Sequence, residues 1–255
     1  MNVSETNAIV PAKPLLYLRA VVWWLVFAIV TVALTIPVLI GLMVSYETGY
    51  RIIHVWLGIN LWTLKHICRI NWQVSGIENL PPNPTLVLCK HQSTFETLVL
   101  PAMLQSPVFV AKRELALVPF FGWCLAFADT ILIKRGAGRS AIRQMETQSV
   151  ERFARKRCVV IFPEGTRREP GAAPEYRIGG AVLAKRTNTP IIPIAHNFGE
   201  YWPRHSLIKW PGTAEMRIGP AIAVEGKKPD AILQEVVDWI ERQQKEITVV
   251  DRFPY

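Results

Sequence analysis

The chain begins with a long apolar run and then changes character. Residues 20–44 carry no ionisable side chain, and about 20 apolar residues are enough for a helix to cross a hydrocarbon core. This predicts a membrane-anchoring helix over 20–44, kinked by Pro37. A cleaved signal peptide fits less well, because its apolar run is usually about 7–15 residues and its basic leader is stronger than Lys13 and Arg19. A second apolar segment, 52–64 with an extension to 67, is too short for a straight span. Trp56 and Trp62 lie along it and Arg51, Lys65 and Arg69 sit at its ends, the pattern of an interfacial or re-entrant helix. A buried core helix is the alternative.

After Pro81 and Pro82 the pattern becomes short apolar runs punctuated by turn and helix signals. Strands are predicted at 85–89, 107–111, 126–134, 158–162 and 190–195, with 215–218 pairing at an edge. Helices are predicted at 94–104, 140–157, 179–187 and 230–245. Strands alternating with helices indicate an α/β domain whose mixed, mostly parallel sheet is flanked by helices. The expected division is an N-terminal two-helix membrane anchor over 1–72 and a catalytic domain over 73–255.

Composition agrees with an anchored domain. Of 255 residues, 50% are hydrophobic and 19% charged, and the mean hydropathy is +0.21. That is too apolar for an ordinary soluble enzyme and too charged for a polytopic membrane protein. The net charge of +9 points to an anionic partner. With an apolar N-terminus and no nucleic-acid module, the partner is a phospholipid membrane rather than nucleic acid. Cys68, Cys89, Cys124 and Cys158 lie far apart with no CxxC spacing, which reads as reduced thiols. The expected location is the cell inner membrane, with the catalytic domain on the cytoplasmic side.

The chemistry concentrates at two turns. His91 follows the 85–89 strand, and Ser93 with Glu96 three residues later forms a capping-box pattern. His91 then sits just outside a helix N-terminus, where the positive end of the dipole disfavours imidazolium. A neutral imidazole at a loop tip is what a general base for a hydroxyl requires. Glu96 either caps the helix or holds the other ring nitrogen of the histidine. Downstream, the 158–162 strand runs into Pro163, Glu164, Gly165, Thr166, Arg167 and Arg168. Glycine permits close backbone approach, and arginine grips phosphate in bidentate fashion. Lys112 and Arg135 stand at further strand ends and suggest one anionic pocket, whereas a set of solvated surface charges is the plain alternative.

Taken together, His91 to Glu96, Phe121-Gly122-Trp123 leading to Arg135, residues 162–168 and residues 190–194 resemble, in order, the four blocks of the glycerolipid acyltransferases, the PlsC-type lysophosphatidic acid acyltransferases. The resemblance covers residues 85–200. It implies an αβ catalytic domain, a two-helix membrane motif, and acyl transfer without metal or cofactor. It further implies His91 as the base, Glu96 standing where the family usually has Asp, and Lys112, Arg135, Glu164, Gly165, Thr166 and Arg167 as acceptor-binding residues. Backbone N–H groups near Gly165 would stabilise the oxyanion, and Asp129 stands where the family often has glycine. The implied reaction moves a fatty acyl group from acyl-CoA or acyl carrier protein to the sn-2 hydroxyl of lysophosphatidic acid, giving phosphatidic acid. Another lysophospholipid, glycerol-3-phosphate or a lyso-ornithine lipid is the alternative acceptor. The absence of a G-x-S-x-G elbow makes a serine hydrolase a poor rival. A non-catalytic lipid-recruiting protein would need only diffuse charge, not these concentrated blocks.

Overall fold

The computed structural model describes residues 12–82, 85–134 and 138–249. Two helices come first, α1 (Lys13–Val44) and α2 (Tyr46–Ile67). They turn on the single residue Ser45, whose Oγ accepts the Thr48 N–H at 3.0 Å and caps α2. Close packing at the turn requires glycine: a Cβ on Gly49 would lie 2.3 Å from Leu42 Cγ. Both helices start earlier than their apolar runs, because backbone hydrogen bonding continues through Lys13–Arg19 and through the polar first turn of α2. The 32 residues of α1 are long and apolar enough to cross a membrane.

The remaining elements are β1 (Ile70–Ser75), β2 (Leu86–Cys89), α3 (Glu96–Met103), β3 (Pro107–Lys112), α4 (Phe121–Phe127), β4 (Ile131–Ile133), α5 (Arg139–Ala154), β5 (Cys158–Ile161), α6 (Gly179–Thr187), β6 (Ile191–His196), α7 (Phe198–Tyr201), β7 (Gly212–Ile218) and α8 (Pro229–Ile247). The seven strands form one sheet in the order β1-β7-β6-β2-β5-β3-β4. Every neighbouring pair is parallel except β6 and β7. Central β2 is buried at all four positions, as a parallel strand covered on both faces must be. Its side chains alternate between two cores. Val87 and Cys89 pack with Phe95 just before α3, Leu98 of α3 and Leu64 of α2. Leu86 and Leu88 pack with Leu183, Ile232 and Val236 from α6 and α8.

Two predicted elements are corrected and one strand was missed. The 126–134 strand is only β4, because its first part is α4 and a turn intervenes. The 215–218 segment is part of a longer strand lying between β1 and β6, not at an edge. Strand β1 was missed although its sequence alternates apolar and polar residues, because it follows directly on α2. The α1–α2 pair is fastened to the sheet domain at Lys209, whose buried ammonium sits 4.6, 4.7 and 4.4 Å from the ring centres of Trp23, Trp24 and Trp202. Burial pulls the Lys209 pKa down to about 8.

The turn into β4 explains why glycine suits residue 129. Asp129 has φ of 60°, which costs a non-glycine residue about 1–2 kcal/mol. Its carboxylate takes an ion pair from Arg157 and another from Arg155 at 3.2 Å, and its carbonyl accepts from Arg152 Nε at 3.1 Å. Asp129→Ala keeps the unfavourable φ and loses the ion pairs, so it should destabilise by roughly 2 kcal/mol. Asp129→Gly relieves the backbone and should cost about half as much. Chemical unfolding of the two variants side by side measures this, and equal losses would show that the backbone conformation contributes nothing.

Candidate active site

Strand β2 ends at Cys89 and delivers His91 to the mouth of an apolar cavity of about 480 Å³. The cavity is walled by Phe27, Leu34 and Val38 of α1, Ile53 and Trp56 of α2, Phe109 of β3, and Phe121 and Leu125 of α4. Its polar end carries His91, Ser93, Thr94 and Arg167. One end is therefore suited to a charged group and the other to a hydrocarbon chain.

The Nδ1 of His91 lies 2.8 Å from Glu96 Oε1, and the ring stacks on Phe162 with centroids 4.0 Å apart. A carboxylate only accepts, so Nδ1 carries a proton, and in the neutral ring the lone pair is then on Nε2. Glu96 is fully buried at the first position of α3. The same Oε1 accepts the N–H groups of Gln92 at 3.0 Å and Ser93 at 2.9 Å. Burial pushes the Glu96 carboxyl upward, but the hydrogen bond from the His91 ring and that from the Ser93 N–H outweigh it, and the net shift is downward. The capping box forms on one side only: Glu96 reaches back to Ser93 N–H, whereas Ser93 Oγ accepts from Phe95 N–H and donates to the Trp202 carbonyl at 2.6 Å. Glu96 thus holds both the turn and the histidine ring.

The second turn packs against the first. Arg168 N–H donates to the His91 carbonyl at 2.8 Å, and His91 N–H donates to Glu164 Oε1 at 3.0 Å. Glu164 therefore faces the protein interior and does not line the cavity, contrary to an acceptor-contacting role. Lys90 Nζ lies 3.8 Å from Glu164 and donates to Glu241 Oε1 of α8 at 2.8 Å, where the Tyr176 hydroxyl also donates. Burial raises the Glu164 carboxyl to about 7 despite Lys90. Gly165 has φ of 70°, and its own N–H donates to the Phe162 carbonyl at 3.0 Å, so an oxyanion donor near it would have to be a neighbouring N–H. Thr166 is half-buried beside it. Arg167 reaches into the cavity mouth, its Nη1 donating to Thr94 Oγ1 at 2.7 Å. Lys112 is exposed at the end of β3 and does not line the cavity. Arg135 lies outside the described residues.

Sequence reasoning missed His196 and the Lys90–Glu241–Tyr176 cluster. His196 is fully buried on β6, its Nε2 donating to the Lys90 carbonyl at 2.8 Å and its Nδ1 accepting Phe198 N–H at 3.3 Å. This fixes a neutral ring beneath the Lys90–His91 backbone, and burial lowers its pKa further. His196 sits two residues past the fourth block, a weak signal. Nothing in the spacing links Lys90 to Glu241.

Two expectations follow. Glu96→Gln removes the charge that fixes the His91 tautomer, and should lower kcat by on the order of 10²–10⁴ in steady-state assays; unchanged kcat would sink the dyad. Glu164 is protonated more readily in the folded chain than in the unfolded one. Its stabilising contribution is full below about 4.5 and lost as the pH climbs through about 7. Relative to Glu164→Gln, the wild type should lose on the order of 3 kcal/mol over that window. Unfolding of both proteins at pH 5 and pH 8 measures the difference, and a gap independent of pH would refute it.

Residues 71–197 match the acyltransferase family model. The chain is 37% identical over 222 residues to 1-acyl-sn-glycerol-3-phosphate acyltransferase of Pseudomonas aeruginosa, covering 86% of each protein. It is 29% identical over 179 residues to the alpha form of that enzyme from Ovis aries, covering 69% of this chain and 62% of the sheep protein. The crystal structure of the 1-acyl-sn-glycerophosphate acyltransferase PlsC from Thermotoga maritima has the same fold, with a TM-score of 0.73 at 20% identity over 90% of this chain and 96% of that one. The chain belongs to the acyltransferase family that includes these enzymes.

Proposed function

We propose that the chain transfers a fatty acyl group from an acyl thioester to the sn-2 hydroxyl of 1-acyl-sn-glycerol-3-phosphate, forming phosphatidic acid. The observation that carries this is the polarised cavity, with a histidine–carboxylate pair and an arginine at one end and aliphatic and aromatic walls at the other. The substrate is named by analogy with relatives called 1-acyl-sn-glycerol-3-phosphate acyltransferases.

His91 Nε2 takes the proton from the acceptor hydroxyl as its oxygen attacks the thioester carbonyl. The tetrahedral intermediate then collapses, the C–S bond breaks, and the imidazolium returns the proton to the departing thiolate. Glu96 stabilises the transient imidazolium without accepting its proton. Arg167, already aimed by Thr94, meets the acceptor phosphate, with Arg135 as a further cation. Glu164, Gly165 and Thr166 shape the turn that presents Arg167. The acyl thioester is supplied by coenzyme A or acyl carrier protein. Helices α1 and α2 hold the protein in the membrane, and we place the catalytic domain on the cytoplasmic side of the inner membrane. The four cysteines are free thiols, which suits a reducing compartment.

His91→Ala should reduce turnover by at least 10²–10⁴-fold with the circular dichroism spectrum unchanged. Arg167→Ala should raise KM for lysophosphatidic acid by about 10–100-fold, as expected for a lost charge-assisted phosphate contact, while barely altering KM for a lysophospholipid lacking a phosphomonoester. Thiol release measured across several acyl donors and lyso-acceptors tests both. Full activity of folded His91→Ala would falsify the mechanism, and equal use of all acceptors would overturn the substrate.

A further inference from the structure

Among the described residues, large exposed hydrophobic side chains outside α1 and α2 concentrate in one short stretch. Only Ile77, Val150 and Leu207 lie elsewhere; the rest fall between residues 115 and 127. Residues 117–128 contain no charged side chain. A helix apolar on every face belongs inside a protein or in lipid. One face of α4 is accounted for, since Phe121, Cys124 and Leu125 line the cavity. The opposite face presents Trp123 and Phe127, one helical turn apart and 45% and 58% exposed, with Leu117 just upstream at 79%. None of these three touches the cavity.

The depth of α4 is fixed by its neighbours. Cys124 Sγ approaches the Thr35 carbonyl at 3.9 Å, and the Phe121 ring lies 6.3 Å from Trp56, which donates to Thr31 Oγ1 at 3.0 Å. Thr31 and Thr35 lie within the uncharged stretch of α1. Whatever depth that stretch takes in a bilayer, α4 shares it.

We propose that residues 115–127 form a third membrane-embedded element, which enters a single lipid leaflet beside α1 through Leu117, Trp123 and Phe127. A seven-residue helix rises only about 10 Å, too little to cross, so the segment enters and leaves on one side. Lys112 and Arg113 before it and Lys134 after it are exposed and fall at the headgroup level of an anionic lipid surface, with Glu114 partly offsetting Arg113. The lipid leaflet is favoured over a protein partner because the patch continues the exposed apolar face of α1, which includes Ile36 and Ile40. The inference rests on reading α1 as the membrane anchor.

The test places an environment-sensitive fluorophore on single cysteines in the full chain, with the half-exposed Cys124 and Cys158 replaced by alanine. Labels go at Leu117→Cys, Phe127→Cys, Ile36→Cys and, on the exposed side of α8, Ala231→Cys. Each protein is reconstituted into phosphatidylcholine/phosphatidylglycerol vesicles with and without doxyl-labelled phosphatidylcholine. The expected result is loss of most emission at 36, 117 and 127 and none at 231. Quenching at 36 with none at 117 or 127 overturns the inference and leaves the anchor reading standing. No quenching at 36 removes the anchor reading, and the inference with it. Labels at 117 and 127 that are buried but unquenched, in a particle of doubled mass, overturn it in favour of a second copy of the chain.

Discussion

The structure around the site depends on one buried carboxylate. Glu96 has no contact with solvent, yet it is kept charged by donors that converge on it: the His91 ring and the N–H groups of Gln92 and Ser93. Those three residues form the turn between β2 and α3, so the group that orients the histidine also determines the turn that presents it. A buried carboxylate without such partners would be neutralised or would unfold its surroundings. The ring orientation and the turn conformation are therefore a single constraint. The neutral His196, hydrogen-bonded to the Lys90 carbonyl from below, supports the same backbone from the sheet side.

This polar knot lies against an apolar cavity whose other walls come from α1, α2 and α4. Helices α1 and α2 are therefore walls of the cavity beside His91 and not merely an N-terminal appendage. Lys209 among Trp23, Trp24 and Trp202 holds the N-terminal half of α1 against the sheet domain. In the proposed reaction, a low-dielectric wall strengthens the Glu96–His91 interaction and the grip of Arg167 on an anion. It also keeps the hydrocarbon of both substrates out of water while the headgroup stays at the polar rim.

The sequence conveyed this unevenly. The buried parallel strands were legible because β2, β5 and β6 are continuous β-branched and aliphatic runs between turn signals, and α6 because its polar and apolar positions follow the helical period. The region from 117 to 134 was not: α4 is uniformly apolar, and without periodicity an apolar run reads equally as helix or strand. Only its packing against Thr35 and Trp56 decides. Strand β7 was read as an edge because the later addition of β1 beside it is a long-range pairing that no local pattern encodes. At the site, His91 and Glu96 were legible through the capping-box spacing, which places them within one turn. The inward orientation of Glu164 was not, since a Pro-Glu-Gly turn can aim its carboxylate either way. Its direction is set by His91 N–H and by Lys90, both brought in from another strand.

That orientation alters what the Glu-Gly-Thr-Arg turn does. Glu164, the most chemically suggestive residue of the turn, faces inward and holds the backbone of His91, while Arg168 N–H holds the carbonyl of the same residue. The two turns are thereby clamped through His91 itself, leaving Arg167 as the residue of the turn that reaches the cavity with a cationic head. Thr94 then fixes where that cation sits, at a hydroxyl three residues from the histidine. The distance between the His91 ring and the Arg167 guanidinium is thus determined by short hydrogen bonds within and between two turns. In the proposed reaction, that rigid spacing selects an acceptor whose hydroxyl and phosphate stand at the matching separation, rather than positive charge alone.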